Sequence, residues 1–298
     1  MTPISLYLST RNPQPEDSKY FDGIFVPYRE TVGRVYPEHR NHPYVTFSVL
    51  GDTIGLQQHP ERAAVAVTGE KALIHENPYD GFAWSWVCPL EPTHRTHLLA
   101  LLQEVPQDTV VILEDLQFPN EQYCACPRCT QDRAHRGPTD LQTWRIRVIQ
   151  EWWQDIQRVR NGKYAWTLHP DPYALETRYG VDLESLEVDL EFLHFPIYCT
   201  SYGLTYWMEI LVPAILQRFT QYRVLLELYA EEPPIAGLWK ALFVLTKYRP
   251  DGIVLYDSRQ RYQDLARALV KDRDLQKKVL AISDPVFQDL VERIRSWV

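Results

Sequence analysis

Residues 223–257 read RVLLELYAEEPPIAGLWKALFVLTKYRPDGIVLYD, and this stretch decides the fold class. The apolar run Arg223–Tyr229 is followed by apolar residues at helical spacing in Gly237–Tyr248, and then by a second apolar run, Gly252–Tyr256. Short runs of β-branched and aromatic residues between polar turns predict buried strands, whereas the segment between them predicts a helix. A strand, a helix and a second strand in this order form a unit in which the helix connects two parallel strands. The stretch therefore predicts an α/β protein with a parallel sheet.

The same alternation extends outward along most of the chain. The eight candidate strands are Ile4–Ser9, Gly23–Tyr28, Tyr44–Leu50, Thr109–Phe118, Lys163–Leu168, Glu191–Tyr198, Arg223–Tyr229 and Gly252–Tyr256. The clearest further helices are Thr93–Gln103, Leu141–Arg160, Thr205–Phe219 and a helical pattern from Asp257 to Val298, in which Asp284 is a cap before the first-turn Pro285. Eight such strands predict a single (β/α)8 TIM barrel over residues 1–298, because one barrel commonly takes about 250 residues.

The first half of the barrel is predicted to be irregular. Its first two connections, Thr10–Phe21 and Arg29–His42, are short and poor in helical pattern. After strand three, residues 51–92 form an insertion in which Ala63–Thr68 and Lys71–Ile74 predict a β-hairpin around Gly69. Loops of this length in compact domains usually serve as lids or binding loops.

Composition narrows the range of partners. The chain has 298 residues, a formal charge of −8 and no apolar run near the roughly 20 residues that span a bilayer. Its acidic balance argues against nucleic acid, which needs clustered Lys and Arg. Since Met1–Thr10 lacks the pattern of a signal peptide, we expect a cytoplasmic protein with no membrane partner. The sequence makes no prediction of the oligomeric state.

The five cysteines suggest a metal site. Closely spaced cysteines in a protein without a secretion signal are more often metal ligands than disulfides. The cysteines of one tight turn, Cys124, Cys126 and Cys129, supply three thiolates of a tetrahedral zinc site, and Cys88 or His135 supplies the fourth ligand. Such a structural zinc would fix the loop after strand four. The alternative is a set of free thiols or a disulfide, and Cys199 is predicted to be an ordinary buried residue.

Acidic residues lie in two of the predicted strands. Glu114 follows Val110–Leu113, and Glu227 lies within the seventh strand, where a carboxylate is costly unless it is paired or opens onto a pocket. Alternation places Glu114 and Asp115 on opposite faces, although Asp115 reaches the mouth if the strand ends early. The other strand ends supply the candidate substrate-binding residues, namely Asp115, Gln117, His169, Asp171, Glu191, His194, Tyr198 and Asp257. The competing interpretation is that these carboxylates form structural ion pairs and that His194 is a satisfied core histidine.

Several motifs occur in a fixed order between His59 and Tyr202. They are His59-Pro60-Glu61, Trp86-Val87-Cys88-Pro89, the stretch Phe118–Cys129 with its Cys-x-Cys-x-x-Cys loop, Tyr179-Gly180-Val181-Asp182 and Glu191–Tyr198. In these motifs the chain resembles a family of glycoside-hydrolase-type (β/α)8 barrels with a cysteine loop after strand four. The chain departs from that family at three positions: it has Glu114 where Asp is usual, Gln117 where Arg is common and Arg62 where Trp is common.

The resemblance implies a glycoside hydrolase that acts on a carbohydrate or other small molecule. Retaining glycosidase barrels carry the proton donor after strand four and the nucleophile after strand seven, which assigns these roles to Glu114 and Glu227. One alternative is a carbohydrate-binding barrel without catalysis. Another is a zinc-containing nucleobase transglycosylase, whose last zinc ligand is a downstream His, whereas here Asp155 lies near that distance. The acidic charge of the chain also disfavours a tRNA substrate.

Overall fold

The computed structural model describes residues 4–74, 82–137, 140–186 and 189–297. Its eight strands form a closed barrel in chain order, and every strand pairing described is parallel. The strands are β1 (Ser5–Ser9), β2 (Gly23–Arg29), β3 (Tyr44–Ser48), β4 (Val110–Glu114), β5 (Lys163–Thr167), β6 (Leu193–Pro196), β7 (Val224–Tyr229) and β8 (Gly252–Tyr256). The predicted (β/α)8 barrel is confirmed.

The described helices include all those predicted and, in addition, Thr53–Gln58 and Pro127–His135, which the sequence did not predict. They are α1 (Thr53–Gln58), α2 (Pro92–Gln103), α3 (Pro127–His135), α4 (Leu141–Val159), α5 (Tyr206–Arg218), α6 (Ile235–Tyr248), α7 (Tyr262–Lys271), α8 (Arg273–Leu280) and α9 (Pro285–Arg295). The Asp284 carboxylate accepts the N–H groups of Val286 and Phe287, which confirms the predicted cap of α9. The first two connections contain only the short 3₁₀ turns Asp17–Lys19 and Pro37–His39, as expected of an irregular first half.

Two strands, β4 and β6, are shorter than predicted by four or more residues. β4 ends at Glu114 because Asp115 has a φ of +56°, a left-handed conformation that cannot continue a strand. β6 spans only Leu193–Pro196, and its last residue lacks the backbone N–H that a ladder needs. Glu191 and Tyr198 therefore lie in the loops beside β6.

The insertion after β3 contains the predicted small hairpin around Gly69, as a short antiparallel pairing. Val65 and Lys71 form an antiparallel bridge, and the backbone N–H of Ala72 donates to the Ala64 carbonyl. Gly69 has a φ of +100°, a conformation that glycine adopts without strain. Residues 75–81 of the insertion lie outside the described residues.

The chain divides into two compact units by contacts within the described residues. The first unit comprises residues up to Val26, Thr167–Pro172 and the chain from Glu191 onward, and the second comprises Pro27–Trp166 and Tyr173–Leu190. Aromatic rings pack in the core of each: Phe25 stacks on Phe192 in the first unit, and Trp153 stacks on Trp166 in the second. Among the described residues there is no helix of the length and hydrophobicity needed to cross a bilayer.

Candidate functional site

Glu227 is a buried carboxyl group in β7 of the first unit. Its Oε2 accepts a hydrogen bond of 2.5 Å from the Tyr198 hydroxyl and lies 3.6 Å from His194 Nε2. Within the described residues, neither Glu227 Oε1 nor His194 Nε2 has a hydrogen-bond partner, although the Ser9 hydroxyl is near enough to influence the carboxyl group. Buried polar atoms without partners are rare and often belong to functional sites.

Burial controls the charge of both groups. Burial raises the pKa of Glu227 to about 7, against the opposing effect of the Tyr198 hydroxyl and then of Ser9. Burial also lowers the pKa of His194 to about 3, so its imidazole is neutral near pH 7. The other ring nitrogen, Nδ1, lies 2.9 Å from Thr167 Oγ1, which fixes the ring orientation. The contact between His194 and Glu227 is therefore not an ion pair, and Glu227 changes charge near neutral pH.

Three tyrosine rings adjoin this carboxyl group. The ring centroids of Tyr198, Tyr229 and Tyr256 lie 5.6 to 6.1 Å apart, and Tyr229 and Tyr256 are paired in register between β7 and β8. Tyr198 is partly exposed to solvent while its hydroxyl bonds Glu227. Aromatic faces beside a polar group provide an apolar surface with a fixed hydrogen-bonding position.

The remaining predicted residues of the first unit differ in their surroundings. Asp257 is buried, and its carboxylate accepts the backbone N–H groups of Arg259 and Tyr262, so that it orders the loop from β8 into α7. His169 and Asp171 lie half-buried in the turn after β5, and Glu191 lies half-buried before β6. The carboxylate of Asp257 thus stabilises the backbone of this loop.

In the second unit, Glu114 and Asp115 occupy the end of β4. Glu114 is half-buried and paired in register with Ser48 of β3. Because residues paired in register share a face, Glu114 and Ser48 point to the same side. Asp115 also reaches that side, since it accepts a hydrogen bond of 2.5 Å from Ser48 Oγ. The strand thus ends early, as the second alternative required, because the left-handed backbone at Asp115 stops the alternation that would have placed Glu114 and Asp115 on opposite faces.

Asp115 belongs to a buried network that sequence reasoning missed. Burial raises the pKa of Asp115 to about 7, and Ser48, Arg29 and Trp84 act in the opposite direction. The guanidinium of Arg29 is buried and donates hydrogen bonds to the carbonyls of Ser48 and Gly51. Its Nη2 lies 3.0 Å from Asp52 Oδ2, so the two side chains form an ion pair. The predicted strand ended at Tyr28, one residue before this arginine. The sequence signal that could have identified Arg29 is its position as a charged residue directly after an apolar run.

Gln117 lies in the segment that follows β4. Its side chain is buried, and Oε1 has no hydrogen-bond partner among the described residues. An unpaired buried amide oxygen carries a desolvation cost, so it is a position where an additional polar group would be bound favourably.

The four predicted metal ligands come together in the second unit. Cys88, Cys124, Cys126 and Cys129 are buried, and their sulfur atoms all lie within 4.8 Å of one another. Cys88 Sγ is 3.5 Å from Cys126 Sγ and 3.4 Å from Cys129 Sγ. A tetrahedral zinc with Zn–S bonds of about 2.3 Å separates its sulfurs by roughly 3.8 Å. The cluster can bind a metal, and Cys88 rather than the exposed His135 completes it.

Local backbone structure supports this cluster. The backbone N–H groups of Val65 and Cys129 point to the sulfurs of Cys124 and Cys126 at 3.4 and 3.5 Å. The backbone N–H of Ala125 donates to the Val65 carbonyl, which joins the insertion to the cysteine loop. Such donors stabilise thiolate charge and orient the sulfurs.

Two further expectations concern residues outside the cluster. Cys199 is half-buried in the loop after β6, so the prediction of an ordinary buried cysteine is wrong; that loop lies at the surface beside the exposed Tyr198. Asp155 pairs with Arg95 and Arg158 instead of joining the cysteines. The ligand pattern of the nucleobase transglycosylase is therefore not found.

Comparisons with known proteins agree with the fold. The sequence matches no protein-family model and no curated protein. The solved structure of alpha-L-fucosidase isoenzyme 2 from Paenibacillus thiaminolyticus matches 87% of this chain with a TM-score of 0.50 and 11% identity. The chain spans 46% of that protein's length. A match to KD(P)GA from T.tenax covers 99% of this chain and 78% of that one, with 12% identity and a TM-score of 0.40. At 11% identity the likeness to the fucosidase structure shows the fold alone.

Proposed function

We propose that this protein is a retaining glycoside hydrolase in which Glu227 is the nucleophile and Glu114 the proton donor. The observation that carries the proposal is the buried Glu227 carboxyl group, which has a raised pKa, one oxygen held by Tyr198 and the other without a hydrogen bond among the described residues. Perturbed carboxyl groups of this kind concentrate at functional sites. The resemblance seen in the sequence and the barrel fold support the same reaction class.

The proposed reaction has two steps. In the first, the Glu227 carboxylate attacks the anomeric carbon, the glycosidic C–O bond breaks, and Glu114 gives its proton to the leaving oxygen. In the second, Glu114 takes a proton from water, the water oxygen replaces Glu227 at the anomeric carbon, and both carboxyl groups return to their initial states. The Tyr198 hydroxyl holds Glu227 in place, and the neutral His194 lies beside the carboxyl group without forming an ion pair with it.

The proton-donor role of Glu114 predicts a dependence on the leaving group. The variant Glu114→Gln should lose about 10²- to 10⁴-fold in kcat/KM on glycosides with poorly acidic leaving groups. The loss should shrink as the leaving phenol becomes more acidic, because such a group needs no protonation. A panel of aryl glycosides, assayed with both proteins, measures this. Full activity of the variant on every leaving group would remove Glu114 from the mechanism. A wild-type protein that binds glycosides but turns none over would instead be the binding barrel.

The raised pKa of Glu227 predicts a pH dependence. A nucleophile must be ionised, so the limb of the kcat/KM profile that rises with pH should have its midpoint near pH 7. The Tyr198 hydroxyl favours the ionised form, so Tyr198→Phe should raise the pKa of Glu227 and move the rising limb about one unit to higher pH. Tyr229→Phe is the matched control, since it removes a hydroxyl of the same ring cluster that does not bond Glu227. A rising limb that stays in place in Tyr198→Phe would contradict the assignment.

We also propose that the four clustered cysteines hold a structural zinc ion. Four thiolates complete a tetrahedral site and leave no open position for substrate, which is typical of structural rather than catalytic zinc. The cysteines join the insertion after β3 to the loop between β4 and α3. The zinc would therefore stabilise two long connections of the second unit without taking part in the reaction.

A further inference from the structure

The hydrogen-bond ladder between β6 and β7 ends beside Glu227. The backbone N–H of Ile197 donates a hydrogen bond of 2.7 Å to the Glu227 carbonyl, directly after the register pair of Pro196 with Glu227. In a parallel ladder, a residue that donates to one carbonyl accepts from the N–H two residues farther along the neighbouring strand. The next bond of this ladder would therefore run from the Tyr229 N–H to the Ile197 carbonyl.

A tyrosine hydroxyl occupies this position of the ladder instead. The Tyr229 N–H donates to the Tyr202 hydroxyl at 2.9 Å, and that hydroxyl donates to the Ile197 carbonyl, also at 2.9 Å. One oxygen atom thus links two backbone groups that would otherwise bond each other directly. The inserted hydroxyl holds Ile197 farther from Tyr229 than a direct bond would, and it satisfies both backbone groups.

Tyr202 holds this position at a conformational cost. Its side chain is 0% exposed, and its backbone φ is +47°. The left-handed region is unfavourable for a residue with a Cβ atom, and residues that are held in it cluster at functional sites. Such a conformation persists only where the surroundings impose it. The fold therefore fixes the Tyr202 hydroxyl in the ladder.

Helix α6 contributes to fixing the loop that carries Tyr202. A Cβ atom added at Gly237 of α6 would overlap the carbonyl oxygen of Ser201. Glycine permits this close approach of the helix to the loop, because it has no side chain. Since Ser201 directly precedes Tyr202, the contact with α6 determines where the tyrosine ring reaches the ladder.

We propose that Tyr202 is a positioning residue that directs the Tyr198 hydroxyl to the Glu227 carboxyl group. Tyr198 directly follows Ile197, so the separation at the end of the ladder determines where the Tyr198 side chain leaves the backbone. The Tyr198 hydroxyl then donates its hydrogen bond of 2.5 Å to Glu227 Oε2. Without the inserted hydroxyl, a direct ladder bond draws Ile197 toward Tyr229 and moves Tyr198 with it. The service to a nucleophile rests on the proposed function, whereas the hydrogen bond itself does not.

The ionisation of Glu227 in the intact chain tests the proposal. Carboxyl-carbon NMR follows this titration, and the Glu227 signal is the one that is missing from Glu227→Gln. We expect Tyr202→Phe to raise the Glu227 midpoint by about 0.5 to 1 pH unit, because the Tyr198 hydroxyl favours the ionised carboxylate and is displaced in the variant. The double variant Tyr198→Phe/Tyr202→Phe should have the midpoint of Tyr198→Phe alone, since no hydroxyl remains to be directed.

A buried tyrosine of the second unit provides the matched control. The Tyr164 hydroxyl donates to the Arg160 carbonyl at 2.7 Å, so Tyr164→Phe also removes a buried hydroxyl that bonds the backbone. This variant should lose stability without moving the Glu227 midpoint. An unchanged midpoint in folded Tyr202→Phe would overturn the proposal. A double variant that shifts the midpoint well beyond Tyr198→Phe alone would also overturn it, because Tyr202 would then act on Glu227 by another route.

Gly237→Ala tests the same inference with the Tyr202 hydroxyl intact, including the case in which Tyr202→Phe does not fold. The added methyl group displaces Ser201 and with it the Tyr202 ring, so the Glu227 midpoint should rise here too. An unchanged midpoint in this variant would contradict the proposal.

Assays on aryl glycosides separate this inference from the proposed function. If the wild-type protein cleaves no glycoside while the midpoints move as expected, the hydrolase proposal fails and the positioning role of Tyr202 stands. If glycosides are cleaved and the midpoint of Tyr202→Phe does not move, only the positioning role fails.

Discussion

Glu227→Gln is expected to reduce turnover of any glycoside that the wild-type protein cleaves by about 10⁴-fold or more, because it removes the attacking oxygen anion. The amide keeps the shape of the side chain and an oxygen that can accept from Tyr198. Steady-state assays on the best substrate of the aryl glycoside panel measure the loss. Glu209→Gln is the matched control, since Glu209 lies on α5 and bonds Lys247 and Tyr248. Activity within tenfold of wild type in Glu227→Gln would contradict the assignment.

Stability measurements separate a catalytic role of Glu227 from a structural one. Folding raises its pKa from 4.5 to about 7, so the folded state retains a proton that the unfolded state releases. The stability associated with this proton is fully present below about pH 4.5 and is lost as the pH rises through 7. Since Gln carries no ionisable group, Glu227→Gln should melt at or above the wild-type temperature at pH 8. At pH 4 the two should differ less. A variant that unfolds below the wild type at pH 8 would point to a structural carboxylate.

Chemical rescue provides a second readout for the same residue. Glu227→Ala leaves a space beside Tyr198, and added azide should attack the anomeric carbon there in place of the carboxylate. The leaving group departs with a proton from Glu114, and the product is a glycosyl azide of inverted configuration. A glycosyl azide of inverted configuration marks Glu227 as the nucleophile. A glycosyl azide of retained configuration would instead point to an acid/base role for Glu227, and no rescue is expected if Glu227 is a structural group.

Loss of one cluster cysteine is expected to have the largest effect on stability. Purified wild-type protein should contain about one zinc per chain, and Cys124→Ser should contain almost none. Structural zinc contributes on the order of 10 kcal/mol to folding in small zinc peptides, and about 1 kcal/mol moves the melting temperature of a large domain by roughly 2–4 °C. Even if only part of that energy is coupled to global unfolding, the melting temperature should fall by about 10 °C or more.

Cys199→Ser is the matched control for the zinc experiment. Cys199 is a half-buried free cysteine outside the cluster, so its substitution should change neither the zinc content nor the melting temperature. Elemental analysis and thermal melts of the three proteins give the result. A wild-type protein without zinc that melts as the zinc-loaded one does would defeat the proposed site.

The barrel and its elements were accessible from sequence because local patterns carry them. The alternation in residues 223–257 predicted β7, α6 and β8 to within two residues, and Asp284 with Pro285 marked the start of α9. Burial of an apolar run and capping of a helix depend on residues within a few positions of one another. The same locality brought Cys124, Cys126 and Cys129 into one turn.

Contacts between distant segments could not be read in this way. The choice of Cys88 over His135 depends on where the end of the insertion meets the cysteine loop, which the spacing of residues does not specify. The hydrogen bond between Tyr198 and Glu227 joins the loop after β6 to strand β7, and the two residues are 29 positions apart in the sequence. Arg29 acquires its role from Asp52 and the carbonyls of Ser48 and Gly51, which the fold brings to it.

The sequence by itself determined the (β/α)8 barrel, the carboxyl residues in two of its strands and the set of cysteines, since each follows from side-chain type and short-range spacing. The tertiary structure alone decided which cysteine completes the cluster and that Asp115 turns back toward Ser48. It also decided that the pKa of Glu227 is raised, since the electrostatic state of a carboxyl group depends on burial and on neighbours contributed by remote parts of the chain.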